Sequence, residues 1–139
     1  MEKLEDLIDR IEAYRSSDSI EKFAFAIEPV ITIGIRDFLS RAVEDHVVDV
    51  TTDLDRSILI NLLSETGHVD EDIINRAINL NRAVRLAMSH ETVRILSNKY
   101  GGQFSEMLKE SEQVFKKDDF FLNEANEFVH ALLKILQKN

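Results

Sequence analysis

Near the middle of the chain stands RLAMSH, Arg85 to His90, which places an arginine and a histidine in the spacing R-x4-H. Its types raise two alternatives, a ribonuclease site or two polar residues at a helix end. The spacing by itself is cheap. With nine arginines and four histidines in the chain, about one chance match is expected. A second match is present, Arg41-Ala-Val-Glu-Asp-His46. Five positions along a regular helix advance about 500°, or 140° around the axis, so Arg85 and His90 cannot share a face while the helix stays regular. The two are expected to lie near each other, so the helix must end or loosen between Leu86 and His90, and Ser89 is the expected cap of the next one. In the structural alternative, Arg85 contacts acidic neighbours and His90 completes a helix C-terminus, where a cation suits the dipole. Asn81 and Arg82 share a polar flank with Arg85, either a solvated face or a small anion site made with a partner subunit.

Other chemistry is sparse. The chain holds neither G-x-x-x-x-G-K-[ST] nor G-x-G-x-x-G, so no phosphate cradle and no cofactor is expected. The histidines, at 46, 68, 90 and 130, never pair at i, i+4, and His90-Glu91 is a lone dipeptide, so no metal site is expected. No G-x-S-x-G elbow occurs. The acidic pairs Asp118-Asp119 and Asp70 to Asp72 stand where helix caps belong.

These residues need a scaffold, and composition says which kind. The length of 139 residues points to one domain, residues 1–139, long enough for a single sizeable core. Apolar residues make up 44% and charged residues 31%, an ordinary globular mixture. Four glycines and one proline favour helices over a turn-rich sheet protein. Cysteine is absent, which removes disulfides, thiolate metal sites and thiol nucleophiles, and makes the cytoplasm the simplest compartment. The charged N-terminus lacks the apolar core of a signal peptide, and no apolar run reaches the roughly 18 residues needed to cross a bilayer. The formal net charge is −9, from 26 acidic and 17 basic residues. Such a surface repels phosphate backbones at long range.

Apolar periodicity predicts an all-α bundle of six to seven helices. The first runs from Glu2 to about Tyr14 on Leu4, Leu7, Ile8 and Ile11, and Asp18 or Ser19 caps the second. That second helix is the most apolar, with Ile20, Phe23, Ala24, Ile27, Ile31, Gly34, Ile35, Phe38 and Ala42 in one phase. The phase continues across Pro29, which predicts one long kinked central helix from about Ile20 to Glu44. VITIGI alone resembles a strand, but its neighbours on both sides are helical. HVVDVTT reads as a linker, with Thr52 three residues before Asp55 in the spacing of a capping box. The next helix carries Leu54, Ile58, Leu59, Leu62 and Leu63 and stops at Gly67. Asp70 caps a helix with the stripe Ile74, Ala77, Ile78, Val84 and Met88, and Val69 with Ile74 has the spacing of a hydrophobic staple. Further helices run from Ser89 to Tyr100, from Phe104 to Phe115, and from about Asp119 to Gln137.

The order of a long apolar helix (FAFAIEPVITIGIRDFLSRAVED), a glycine-ended helix (LLSETGHVD) and RLAMSH at the end of the next resembles the HEPN superfamily of small helical domains. It resembles most the domain-of-unknown-function and mannitol-operon-repressor type members. The resemblance covers residues 20–90 and 119–137, with 91–118 as a helical insertion. It implies that Arg85 would anchor a phosphate and His90 would act as acid or base in metal-independent RNA cleavage, usually across a dimer. Leu86, however, stands directly after Arg85, where active members usually place a polar residue. Together with the acidic surface this favours a non-catalytic interaction or regulatory module over a toxin or defence ribonuclease. Apolar residues on both flanks of the central helix, Val30, Ile31, Ile33 and Ile35, predict a symmetric homodimer. A protein partner fits this reading, and RNA fits only the ribonuclease one.

Overall fold

The computed structural model describes residues 2–44, 49, 51 and 53–138. Among these residues every regular element is helical. Helix α1 is Leu4–Tyr14. Helix α2 is one continuous rod over 19–42, made of Ser19–Glu21, a π-helical turn Lys22–Ile27, and Glu28–Ala42. Then come α3 (Arg56–Glu65), α4 (Glu71–Met88), α5 (His90–Tyr100), α6 (Gln103–Lys116) and α7 (Asp118–Gln137). No helix is long and apolar enough to cross a membrane, among the described residues.

The central place of α2 follows from its composition. Phe23, Ile27, Val30, Ile31, Ile35 and Phe38 are all fully buried, and α1, α3, α4 and α7 pack around them. The apolar flanks that suggested a dimer are thus taken up inside the subunit, with Ile33 half-buried against the same core. Gly34 lets α1 come close. A Cβ there would stand 3.3 Å from both Leu4 Cδ2 and Leu7 Cδ1. Gly34→Val is therefore expected to destabilise by about 1–3 kcal/mol through overpacking, read as a lowered thermal midpoint. An unchanged midpoint would mean that α1 is not seated there.

Pro29 stays within the rod because the turn before it is π-helical. The Glu28 N–H donates to Phe23 O, five residues back, the wider pattern that absorbs an irregularity without ending a helix. Phe25 O, the carbonyl that Pro29 cannot serve, accepts from Arg10 Nη1 at 3.2 Å.

Two polar ties fix the ends of α2. Asp37, buried on α2, accepts from the Leu4 N–H at 2.9 Å and so satisfies an orphan donor at the start of α1. Arg41 Nη1 lies 3.1 Å from the same carboxylate and also binds Glu5. At the other end, Lys22 Nζ stands 3.2 Å from both Asp118 Oδ2 and Asp119 Oδ1, in the first turn of α7.

Several local expectations change. Asp18 caps α2, accepting from Glu21 N, whereas Asp70 and Ser89 hold cap positions without a side-chain cap bond. Asp55 is the cap of α3, accepting from Ile58 N at 3.0 Å, while Thr52 lies outside the described residues. Ile20, Ile58, Ile78 and Met88, assigned to buried stripes, are exposed. The burial goes instead to Ile60, Leu80, Ala83 and Ala87. On α4 the phase 77, 80, 84, 87 holds the inward face, and Ile78 lies 100° from Ala77. The segment read as an insertion is a hairpin of α5 and α6. It closes on Val93 and on a Ser97–Ser105 hydroxyl bond of 2.9 Å, and α6 lays it against α4.

Candidate functional site

Three arginines meet where α3, α4 and the start of α5 come together. A cleft of about 750 Å³ is lined by Arg56, Arg82, Arg85, Leu86, Met88, Ser89, Thr92 and Met107. Its lining has three cations and no carboxylate, in a chain of net charge −9. Asn81, only 6% exposed, organises it: its Oδ1 accepts from Arg56 Nε at 2.7 Å and its amide reaches Ser57 Oγ at 3.5 Å. This fixes the first turn of α3 against the middle of α4. Glu28 Oε1 is 3.7 Å from Arg56 Nη1 and lines an adjoining cleft with Asp55, Asn81 and Arg85. Arg82 pairs with Glu110 at 3.1 Å, both side chains largely exposed. Arg85 is exposed in the last turn of α4, and its side chain has no hydrogen-bond or ion-pair partner among the described residues. The acidic neighbours expected for it are taken by Arg56 and Arg82.

His90 goes elsewhere. The helix breaks where the geometry required, α4 ending at Met88 and α5 starting at His90. His90 thereby opens a helix rather than completing one. Its Nδ1 lies 2.7 Å from Ser111 Oγ, and its ring meets Phe115 edge-on with centroids 4.9 Å apart. Ser111 in turn donates to Leu108 O at 2.8 Å. Both bonds coexist only if His90 carries its proton on Nδ1 and donates to Ser111, because the hydroxyl has one proton. His90 lines none of the three clefts that Arg85 lines. Asn81, Arg82 and Arg85 are brought together, and His90 is bound to α6.

Arg56 escaped the sequence reading. No spacing along the chain links position 56 to 81 or 85, since tertiary packing alone joins them. One local signal existed. Arg56 is the first residue of α3, where a cation opposes the helix dipole, with only the cap carboxylate of Asp55 beside it to offset that charge. In the second R-x4-H match, Arg41 is committed to Glu5 and Asp37, and His46 lies outside the described residues. Among the described residues no group of His, Asp and Glu side chains is arranged to hold a metal ion.

A cleft of this kind can hold an anionic group by forked, charge-assisted bonds, with Met88 and Met107 offering adaptable apolar contact beside it. Comparison with family models, with curated proteins and with solved structures finds no match to this chain.

Proposed function

We propose that the protein is a non-catalytic helical interaction module that holds an acidic group of its partner in the Arg56–Arg82–Arg85 cleft. The observation that carries this reading is the lining of that cleft by three arginines and no carboxylate, together with the distance in role between Arg85 and His90. A phosphate could be gripped at Arg85, but no acid or base lines the same cleft to move a proton. The HEPN-like, mannitol-repressor-like assignment is supported by the order of elements: a long helix, a helix closed at Gly67, and a helix ending within RLAMSH. A regulatory role, homodimerisation and a cytoplasmic location belong to the same proposal. Exposed Ile78 and Met88 on α4 offer apolar surface for pairing two copies.

The ribonuclease reading retains one favourable observation. With its proton on Nδ1, a neutral His90 keeps a lone pair on Nε2, and Arg85 is unpaired. Metal-free cleavage of RNA in chelator at low salt, by wild type and by His90→Ala, separates the two. The expected result is no cleavage by either protein. Cleavage by wild type that His90→Ala loses, with the fold intact, would replace the interaction module by a ribonuclease. Light scattering at micromolar concentration is expected to give twice the 16.0 kDa chain mass, and a monomer mass alone would end the dimer proposal.

A further inference from the structure

A second concavity lies on the other flank of Arg82, and its chemistry differs from that of the cleft. About 540 Å³ in volume, it runs between α4, α6 and α7. Its floor and walls are Leu80, Ala83, Leu86, Val114, Phe120 and Phe121. Phe120 is 53% exposed and forms an open wall rather than a core contact. The volume is that of a small-molecule site, and the apolar walls are matched by an equal number of polar lining residues, Arg76, Asn79, Arg82, Glu110, Gln113 and Glu124.

The two ends of this groove are electrically unlike. At one end Arg76 is outnumbered, held by Glu124 at 3.0 Å and by Glu127 at 3.2 Å. At the other, Arg82 has the single partner Glu110, and Arg85 and Arg56 stand in the cleft beyond it. The Arg82–Glu110 pair is exposed to solvent, 69% and 50% for the two side chains, so it is weakly held, and an incoming anion competes for Arg82 with Glu110, which also lines the groove. An apolar body would lie along Leu80, Ala83 and Phe120, and a negative head would face Arg82.

We infer that this groove binds a small amphipathic anion, an acyl or aryl carboxylate, with its carboxylate on Arg82 and its apolar body between α4 and α7. This groove adjoins the arginine cleft and shares Arg82 and Leu86 with it, but the inference does not rest on the proposed function, and its test involves neither RNA nor a protein partner. The probes are octanoate, decanoate and dodecanoate below their micellar concentrations, with decanamide as the uncharged comparison, titrated calorimetrically into the whole protein.

Three results are expected. Each added methylene tightens binding about three- to fourfold. Decanamide binds at least tenfold more weakly than decanoate, and Arg82→Gln removes that preference while Arg76→Gln keeps it. Gln113→Trp, at an exposed position on the groove lining, blocks the site and abolishes binding without disturbing the core. No heat of binding to wild type at millimolar probe overturns the proposal, as does binding that Gln113→Trp leaves unchanged. Equal binding of decanoate and decanamide would overturn the anionic class of ligand.

Discussion

Replacing Phe38 by aspartate is expected to abolish folding. Phe38 is fully buried on α2, the helix around which α1, α3, α4 and α7 are arranged. Truncating a buried phenylalanine to alanine already costs about 3–5 kcal/mol. An unpaired carboxylate in the same place adds a desolvation cost of several kcal/mol. Domains of this size are stable by only about 5–15 kcal/mol, so the combined loss is comparable with the whole stability. Far-UV circular dichroism should show loss of helix at 25 °C, whereas Phe38→Leu should fold with a lowered midpoint. Phe120→Asp is the matching control. That side chain is half-exposed, so the same substitution there forfeits only part of a phenylalanine's burial and should cost about 1 kcal/mol, leaving the protein folded. A Phe38→Asp protein with an unchanged thermal midpoint would refute the central placement of α2.

The placement of α2 was legible because its signal is redundant. The apolar phase from Phe23 to Phe38 repeats over four turns, and no single residue decides it. Helix ends were legible where local chemistry sets them, as at Asp18, Gly67 and Gly101. Gly67 and Gly101 both have positive φ, 72° and 63°, which an L side chain rarely adopts. Faces were harder to read. Ile78 and Met88 are apolar and close to the stripe of α4, yet the small residues Ala83 and Ala87 are the ones turned inward. Hydrophobicity ranks residues by type, while burial depends on which face a neighbour covers. The π turn was invisible for another reason: Pro29 announces a lost hydrogen bond, but whether the chain kinks, breaks or widens depends on what receives the freed carbonyl. Here Arg10, from α1, receives it.

The candidate site divides in the same way. Asn81, Arg82 and Arg85 could be grouped from helical spacing alone, because i, i+3 and i+4 neighbours share a face. Arg56 could not, since only the packing of α3 on α4 brings it there. The separation of Arg85 from His90 was half legible. The 140° offset and the break at Ser89 follow from the sequence, and the break was expected to let His90 lie near Arg85, whereas the partner that His90 takes, Ser111 on α6, is 21 residues further on.

The Lys22–Asp118 pair should carry the second largest single effect, and it should depend on pH. Lys22 and Asp118 side chains are 9% and 15% exposed, and Ser19 Oγ donates to the same Asp118 oxygen at 2.7 Å. Burial works against the charge on each group. For Asp118, the bonds from Ser19 and Lys22 outweigh that burial and hold its carboxyl below the usual carboxylate range. For Lys22, burial likewise opposes the charge, and the bonds to Asp118 and Asp119 raise its ammonium above the usual lysine range. Lys22→Met leaves Asp118 and Ser19 facing each other without a cation. Breaking a buried pair in this way costs about 3–5 kcal/mol, and the residual exposure of Asp118 should reduce that to about 2–3 kcal/mol.

The sign with pH follows from the two directions. A depressed carboxyl contributes stability that is present above its unfolded value, about pH 3.9, and is lost as pH falls through the lower folded value. A raised ammonium contributes stability that is present below about pH 10.4 and is lost as pH rises through its higher folded value. Urea denaturation of wild type and Asp118→Asn should therefore give a stability gap that is full near neutral pH. The gap should shrink as the medium is acidified below about pH 3.9. If it stayed constant from neutral pH to about pH 2, while both proteins remained folded, Asp118 would not be acting through an ionised pair. The tie between α2 and α7 would then rest on Ser19 and packing alone.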